Sequence, residues 1–511
     1  METAESATGC LAGTDTCHRE DIFAASSSII VMFCGSIQYS VIVVINGSLT
    51  DPKNHVDIFT ITKNEASWYG GIIHLVHLFG SLIAGLVQDS FGRKTCMLLG
   101  NVPQIIGWII LIYAKSSHHL YISSILMGLG ASFSEIPVLA YISETISVEL
   151  RGRLFSLTKI GYGIGALFVF FCNIYLHWRT LASICILAPI FSIGYLLMLP
   201  ETPMWLLSRG REEDALKSLQ WLRGWVPPSI VRSEFEKSQR YINESKKLRK
   251  DTSSYLPVSL DEGDTKKSKN EVWQNIKILS KKEFLQPYKL VSVLFLVSYI
   301  LSLRVVKPYL LIILRKFDFH SPKILAISSF AQIIGAVTMA ATVNRFGKKN
   351  LMFYSFNISA ACLAIISLYG LLFTKYGFRA DWLLYGVCLT IFYLTGLTIG
   401  GLPGFICGEI YPQQIRGLAC GVSLSTAHAM LFILVKLYLG LESLLGISSL
   451  FLIYAAVGVI GTVYLQYQLP ETENKSLEEI GRTFKNKDTE KDQAVVLTSL
   501  INGSSEKLRI Q

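Results

Sequence analysis

Two similar short charged runs in this chain can do electrostatic work, one in each half. Asp89-Ser90-Phe91-Gly92-Arg93-Lys94 closes one apolar stretch and opens the next, and Asn344-Arg345-Phe346-Gly347-Lys348-Lys349 does the same in the second half. Each run is followed by an acid and then an Arg-Gly pair: Glu144 with Arg151-Gly152, and Glu409 with Arg416-Gly417. Each half ends on a Pro-Glu-Thr, which contributes Glu201 and Glu471. Acids and bases in this order can form ion pairs. They come with no catalytic triad, metal-ligand spacing or phosphate-binding loop, so the residues point away from an enzyme and call for no cofactor and no metal. A repeated half with charged punctuation between long apolar runs is the layout of a secondary transporter.

The elements that must position these charges are membrane spans. The chain has 511 residues, 51% hydrophobic and 16% charged, against roughly 25% charged in soluble domains. The charge sits in blocks, and between them lie runs of about 20 apolar residues, the length a helix needs to cross a bilayer. Twelve such segments are expected, with cores near 28–46, 68–88, 96–114, 120–141, 154–173, 180–199, 289–312, 323–343, 350–373, 382–406, 418–440 and 446–468. Lipid offers no partner to backbone amides, so these segments must be helical. The seventh and eighth are interrupted by Lys307, Pro308 and Pro322.

The net charge of +10 fits cytoplasmic loops better than a nucleic-acid partner. Arg93, Lys94, Arg151, Arg153, Arg345, Lys348, Lys349 and Arg416 fall on one side of the alternating topology, with the basic segment 207–288. Lys53, Lys63, Lys115 and Arg179 fall on the other. The bias predicts both termini in the cytoplasm. The first external loop is then expected over 46–67, with a glycosylation sequon at Asn46-Gly47-Ser48. The polar first 20 residues show no cleavable signal. The ten cysteines show no paired spacing and read as small core hydrophobes. An amphipathic helix is expected over 211–223, with Leu216, Leu219 and Leu222 on one stripe. The compositions of 246–270 and of the tail after Gly481 are those of mobile segments.

These motifs, in this order, resemble the sugar porter family of the major facilitator superfamily, and within it the insect facilitated trehalose transporter-like members. The resemblance runs from about residue 30 to about 482 and rests on Asp89–Lys94, Glu144 with Arg151-Gly152-Arg153, Pro200–Leu206, Gly347–Lys349, Glu409 with Arg416-Gly417, and Pro470-Glu471-Thr472. It implies an all-α polytopic membrane protein with twelve transmembrane helices in two six-helix bundles. The divisions are an N-terminal tail (1–27), a first bundle (28–199), a cytoplasmic linker with short helices (200–288), a second bundle (289–468) and a C-terminal tail (469–511). It implies a plasma-membrane carrier that binds a small-molecule solute, a sugar first of all, and functions as a monomer in the lipid bilayer. Asp89, Arg93, Lys94, Glu144, Arg151, Glu201, Arg345, Lys348, Glu409, Arg416 and Glu471 would form a cytoplasmic gate, with opposite charges facing across the seam between the bundles. The alternative is that these charges only anchor helix ends. Asn344 in place of an acid, Met204 in place of the family's Arg, and the missing Gly-Arg around Ser123–Met127 imply a weaker latch than usual.

The resemblance fails at the substrate site. The family's seventh-helix glutamines fall on Tyr299-Ile300 and its asparagine near Val305. Its fifth-helix glutamine falls on Lys159, its tenth-helix tryptophan on Gly404 and its eleventh-helix Asn-Trp on Ala427-His428. Basic groups take over: Lys159, Arg304, Lys307, and with them His428 and Lys436. Ionisable groups at membrane depth usually face a cavity or a partner, although Lys307 and Lys436 can also snorkel to an interface. The candidate substrate set is Gln38, Lys159, Tyr299, Ser302, Arg304, Thr398 and His428. Gly396, Gly400, Gly401, Pro403 and Gly404 make the tenth helix breakable, and Pro308 does so for the seventh. The first helix has no carboxylate between Ser26 and Asn46, which leaves Glu135 as the one candidate proton carrier and favours uniport. Three readings stay open: a facilitative sugar carrier, a carrier of small anions through a basic cavity, and a non-transporting sensor on the same fold.

Overall fold

The computed structural model describes residues 29–50, 59–145, 151–254, 282–317, 323–411 and 416–470, and these form helices and connecting turns without a strand. The first half comprises α1 (Ile29–Leu49), α2 (Lys63–Phe91), α3 (Arg93–Ile112), α4 (Ser117–Thr145), α5 (Arg151–Cys172), α6 (Trp178–Cys185) and α7 (Leu187–Met198). The linker carries α8 (Pro203–Ser208), α9 (Glu212–Leu222) and α10 (Pro228–Ser254). The second half comprises α11 (Lys282–Leu301), α12 (Leu310–Lys316), α13 (Lys323–Phe346), α14 (Lys348–Tyr376), α15 (Asp381–Leu394), α16 (Leu402–Ile410), α17 (Arg416–Leu445) and α18 (Ile447–Gln468). Eleven of the resulting stretches are long and apolar enough to cross a membrane, with α6–α7 and α15–α16 each forming one. The helix α5, apolar over Thr158–Cys172, takes the fifth place in the series. Large apolar side chains such as Phe79, Leu86, Phe191, Met198, Leu368 and Ile460 stand exposed on the outer faces, which suits lipid and not water.

Local chemistry sets several of the ends. A capping box, with Thr62 and Glu65 exchanging bonds, starts α2. Gly92, at φ +101°, both ends α2 and starts α3, and Gly347, at φ +77°, does the same between α13 and α14. A side chain at either position would strain the turn.

Two spans are broken midway, where the sequence placed its helix-breaking residues. In the seventh, α11 stops at Leu301, the chain turns through 302–306, and a single 3₁₀ turn (Lys307–Tyr309) leads into α12. A proline ring clashes with the carbonyl four residues earlier, so Pro308 cannot continue a helix through Arg304. Leu303 takes up the bend at φ +57°, a left-handed conformation that costs a branched side chain about 1–3 kcal/mol. In the tenth, a π turn (Thr395–Ile399) and a turn at Gly400-Gly401 separate α15 from α16. Such bulges favour functional positions.

The halves meet along two seams, α2 against α17 and α5 against α13. The linker makes its own small core of Leu206, Leu207 and Ala215, with Phe235 against it. Within α9, Leu219 and Leu222 are buried and Leu216 is half-buried, which matches the expected stripe. Two boundaries differ from expectation. The helix α1 continues to Leu49, past the expected start of the first loop at residue 46. The helix α10 continues to Ser254, through the start of the segment expected to be mobile, while 255–281 lie outside the described residues.

Close backbone contact makes Gly396 critical, because a Cβ there would overlap the carbonyl of Gln332 on α13. A Cβ at Gly404 meets nothing within 4 Å. Gly396→Ala should therefore cost about 1–3 kcal/mol by overpacking, seen as a lower Tm in detergent, while Gly404→Ala should leave Tm nearly unchanged. Equal Tm values for the two variants would contradict this packing.

Candidate functional site

The broken spans face a cluster of polar side chains at the middle of the molecule. From α2 come His74 and His77, one turn apart on one face. From α4 comes Glu135, whose side chain keeps 40% exposure in mid-span, so it opens onto a cavity. The α1 helix supplies Gln38 and Tyr39, and α17 of the other half supplies His428. Nε2 of His77 lies 3.3 Å from Oε2 of Glu135, and Nδ1 of His77 lies 3.5 Å from the Tyr39 hydroxyl. The His77 and His428 rings stack with centroids 3.9 Å apart, and Tyr39 stacks on His74 at 5.4 Å.

Basic groups frame this cluster. Arg304, in the bend of the seventh span, sets its guanidinium 5.5 Å from the Tyr299 ring centroid and lies within electrostatic reach of Glu135 and Tyr39. Lys159 reaches Glu135 and Arg304 electrostatically, and its aliphatic stem lies against Gly401 at the bend of the tenth span. Lys307 stands 5.1 Å from the Tyr162 ring centroid on α5 of the other half. Among the described residues both amide atoms of Gln38 and the Thr398 hydroxyl are buried without a hydrogen-bond partner, and buried polar atoms rarely go unpaired except at a site. Ser302 donates to the Tyr299 carbonyl at 3.5 Å.

The structure thus brings Lys159, Tyr299, Arg304 and His428 of the expected set around one centre, in electrostatic reach of Glu135. Lys436 lies elsewhere. Its Nζ donates to Asn64 at 2.8 Å and Ser67 at 2.7 Å beside the Trp68 ring, joining the halves at the end opposite the charged motifs. The cavity is also less basic than the sequence implied, because Glu135 and three imidazoles share it. His74 and His77 were missed. The available signal was two ionisable residues three apart within an apolar span.

At the charged-motif end, Glu201 caps α3. Its carboxylate accepts from the backbone N–H of Arg93 (3.0 Å) and of Lys94 (3.1 Å), where the helix dipole favours an anion. The Arg93 guanidinium donates to Glu144 at 2.8–3.0 Å and reaches Asp89 at 3.4 Å. Thr202 donates to the second Glu144 oxygen at 2.6 Å. In the other half, Lys348 donates to Glu409 at 2.8 Å. Among the described residues these pairs lie within a half. Each motif turn packs on the following helices of its own bundle. Arg345 is exposed. Arg151 and Arg416 begin α5 and α17, with side chains outside the described set, and Glu471 lies outside the described residues.

The halves are joined at the opposite end. Arg315 donates to the Gly47 carbonyl at 2.7 Å, and Asn46 Nδ2 donates to the Pro308 carbonyl at 3.2 Å. Asn46 is fully buried within α1. An acceptor amide buried within a helix and bonded to Pro308 speaks against the expected glycan there.

These features define a class. Two helical halves, seamed along α2/α17 and α5/α13, with broken spans at a central polar site, make the fold of a major facilitator carrier. The xylose transporter XylE, solved as a "proton:xylose symporter" of that superfamily bound to 6-bromo-6-deoxy-D-glucose, is similar with a TM-score of 0.68 at 16% identity, covering 92% of this chain and 100% of XylE. The sequence profile of the family "Sugar (and other) transporter" matches residues 27–484, and the chain belongs to that family. Similar relatives are the "Facilitated trehalose transporter Tret1" proteins of Polypedilum vanderplanki (28% identical, 83% of this chain and 80% of that protein) and Bombyx mori (28%, 82% and 79%). The Tret1 protein of Aedes aegypti is 27% identical over 84% of this chain, which spans about half of its length (51%). The protein is a multi-pass membrane carrier and not an enzyme.

The motif-end geometry separates a buried pair from an exposed one. Glu144 and Arg93 keep 18% and 14% side-chain exposure, and Asp89 keeps 72%. Glu144→Ala should lower stability by about 3 kcal/mol, because it leaves Arg93 buried without its main partner. Asp89→Ala should cost under about 1 kcal/mol. Tm shifts in detergent check this, and equal losses would sink it. In addition, Asn46→Gln should leave electrophoretic mobility unchanged.

Proposed function

We propose that this chain is a facilitative carrier of a sugar of the trehalose or hexose class, working by alternating access as a monomer in the plasma membrane, with both termini cytoplasmic. The carrying observation is the central cluster built from both halves: Gln38, Tyr39, His77, Glu135 and Lys159 from the first, and Tyr299, Arg304, Thr398 and His428 from the second. Sugar hydroxyls exchange water for equal partners, and this cluster offers donors, acceptors and aromatic faces together. The names of the similar relatives support the substrate class. Unpartnered Gln38 and Thr398 support sugar contact at the bends.

With the charged-motif end assigned to the cytoplasm by its basic loops, contacts such as Arg315–Gly47 and Lys436–Asn64 close the external end. The cycle then opens that end and closes the other. Arg93–Glu144 and Lys348–Glu409 hold the motif turns of each bundle ready, and Arg151, Arg416 and Glu471 are assigned as the cross-seam partners of the closed cytoplasmic gate. The missing acid at Asn344 and the Met204 substitution support a weak cytoplasmic latch. The absence of a carboxylate between Ser26 and Asn46 supports uniport.

The test is uptake of labelled trehalose, glucose and small organic anions into cells expressing the chain. Saturable uptake of a sugar that a protonophore leaves unchanged is expected. Lys159→Gln and Gln38→Ala should each reduce it about tenfold or more at equal surface expression, as loss of a buried hydrogen-bonding group implies. No saturable sugar uptake, or uptake of anions alone, would overturn the reading.

A further inference from the structure

We propose that His77, Glu135 and His428 form a binding site for a divalent transition-metal ion of the zinc type, joining the two halves across the α2/α17 seam. One ligand atom from each residue lies within 4.8 Å of the others. The three come from three helices and are separated in sequence by 58 residues or more, so only the fold brings them together.

The donor set selects the ion. Calcium and magnesium take oxygen ligands, whereas two imidazoles with one carboxylate suit zinc, cobalt, nickel or copper. Two histidines and a glutamate leave one of four tetrahedral positions open, for water or a solute hydroxyl. Metal–ligand bonds of 2.0–2.1 Å put tetrahedral ligand atoms about 3.4 Å apart, and His77 Nε2 already lies 3.3 Å from Glu135 Oε2. The Tyr39 hydroxyl beside His77 Nδ1 is the kind of second contact that orients a ligating ring. His77 is fully buried and its Nε2 faces the Glu135 carboxylate at 3.3 Å, and among the described residues Nδ1 of His428 has no hydrogen-bond partner.

Two features limit the site. The His77 and His428 rings are stacked with 24° between planes, so a common in-plane metal requires His428, which is half-exposed, to turn out of the stack. Lys159 and Arg304 lie within electrostatic reach of Glu135 and oppose a dication. Binding should therefore be reversible and weaker than in a structural zinc site. An ion held by both halves binds the present arrangement better than one in which α17 has moved from α2, so it stabilises this state by that difference.

The experiment titrates Zn²⁺ into the purified full-length chain in detergent, following bound metal per chain and Tm, with Co²⁺ absorption as a spectroscopic readout of coordination. One ion per chain, a rise in Tm and tetrahedral Co²⁺ bands are expected. His77→Ala and His428→Ala should each weaken binding more than tenfold, since even second-contact changes cost about 10–100-fold. Glu135→Gln, which keeps the side-chain shape, should do the same while eluting as a monodisperse species. No stoichiometric binding, or binding unchanged in His428→Ala, would overturn the proposal. The readout uses no transport, so its failure is separate from failure of the carrier reading.

Discussion

The hydrocarbon core of a bilayer cannot hydrogen-bond to protein, and the rest of this structure follows from that constraint. Every backbone amide in a span must find its partner within the helix, and every charge at depth must find a partner or a cavity. The charges obey it in two ways. Arg93, Glu144, Lys348 and Glu409 pair at the ends of spans within their own bundles. Lys159, Arg304, Glu135 and the three histidines gather where the bundles face each other.

The same constraint explains where helices can break. A turn such as 302–306, or the π turn Thr395–Ile399, frees backbone groups that lipid would leave unpaired. Such breaks are tolerated only where they line a cavity or bury against protein. Both lie in the second half, and each sits beside a basic side chain, Arg304 in its own turn and Lys159 against Gly401. The breaks position the site, and the site in turn tolerates the breaks. The strained backbone at Leu303 is then a local cost offset by placing Arg304 toward Glu135.

Asymmetry between the two ends gives the carrier its state. One end is tied by hydrogen bonds across the halves, at Asn46–Pro308, Arg315–Gly47 and Lys436–Asn64. At the other, the ion pairs described stay within each half. A neutral hydrogen bond such as Asn46–Pro308 is worth about 1 kcal/mol and one from a charged donor such as Arg315 or Lys436 about 1.5–3 kcal/mol, a scale on which a few bonds made or lost can shift a two-state equilibrium.

Span number, the breakable positions in the seventh and tenth spans, and the repeated motif turns were legible in the chain, because they depend on local properties: apolar run length, proline and glycine, and charge order. The amphipathic stripe of α9 was legible for the same reason. Partner choice was not. That Arg93 pairs with Glu144 inside one bundle, that Asn46 turns inward to Pro308, and that His77, Glu135 and His428 converge all depend on how helices distant in sequence cross. Periodicity along one helix tells which face is polar and leaves open what that face meets. The residues determined a twelve-span carrier with ionisable groups at its centre, and only the tertiary packing decided which of them touch.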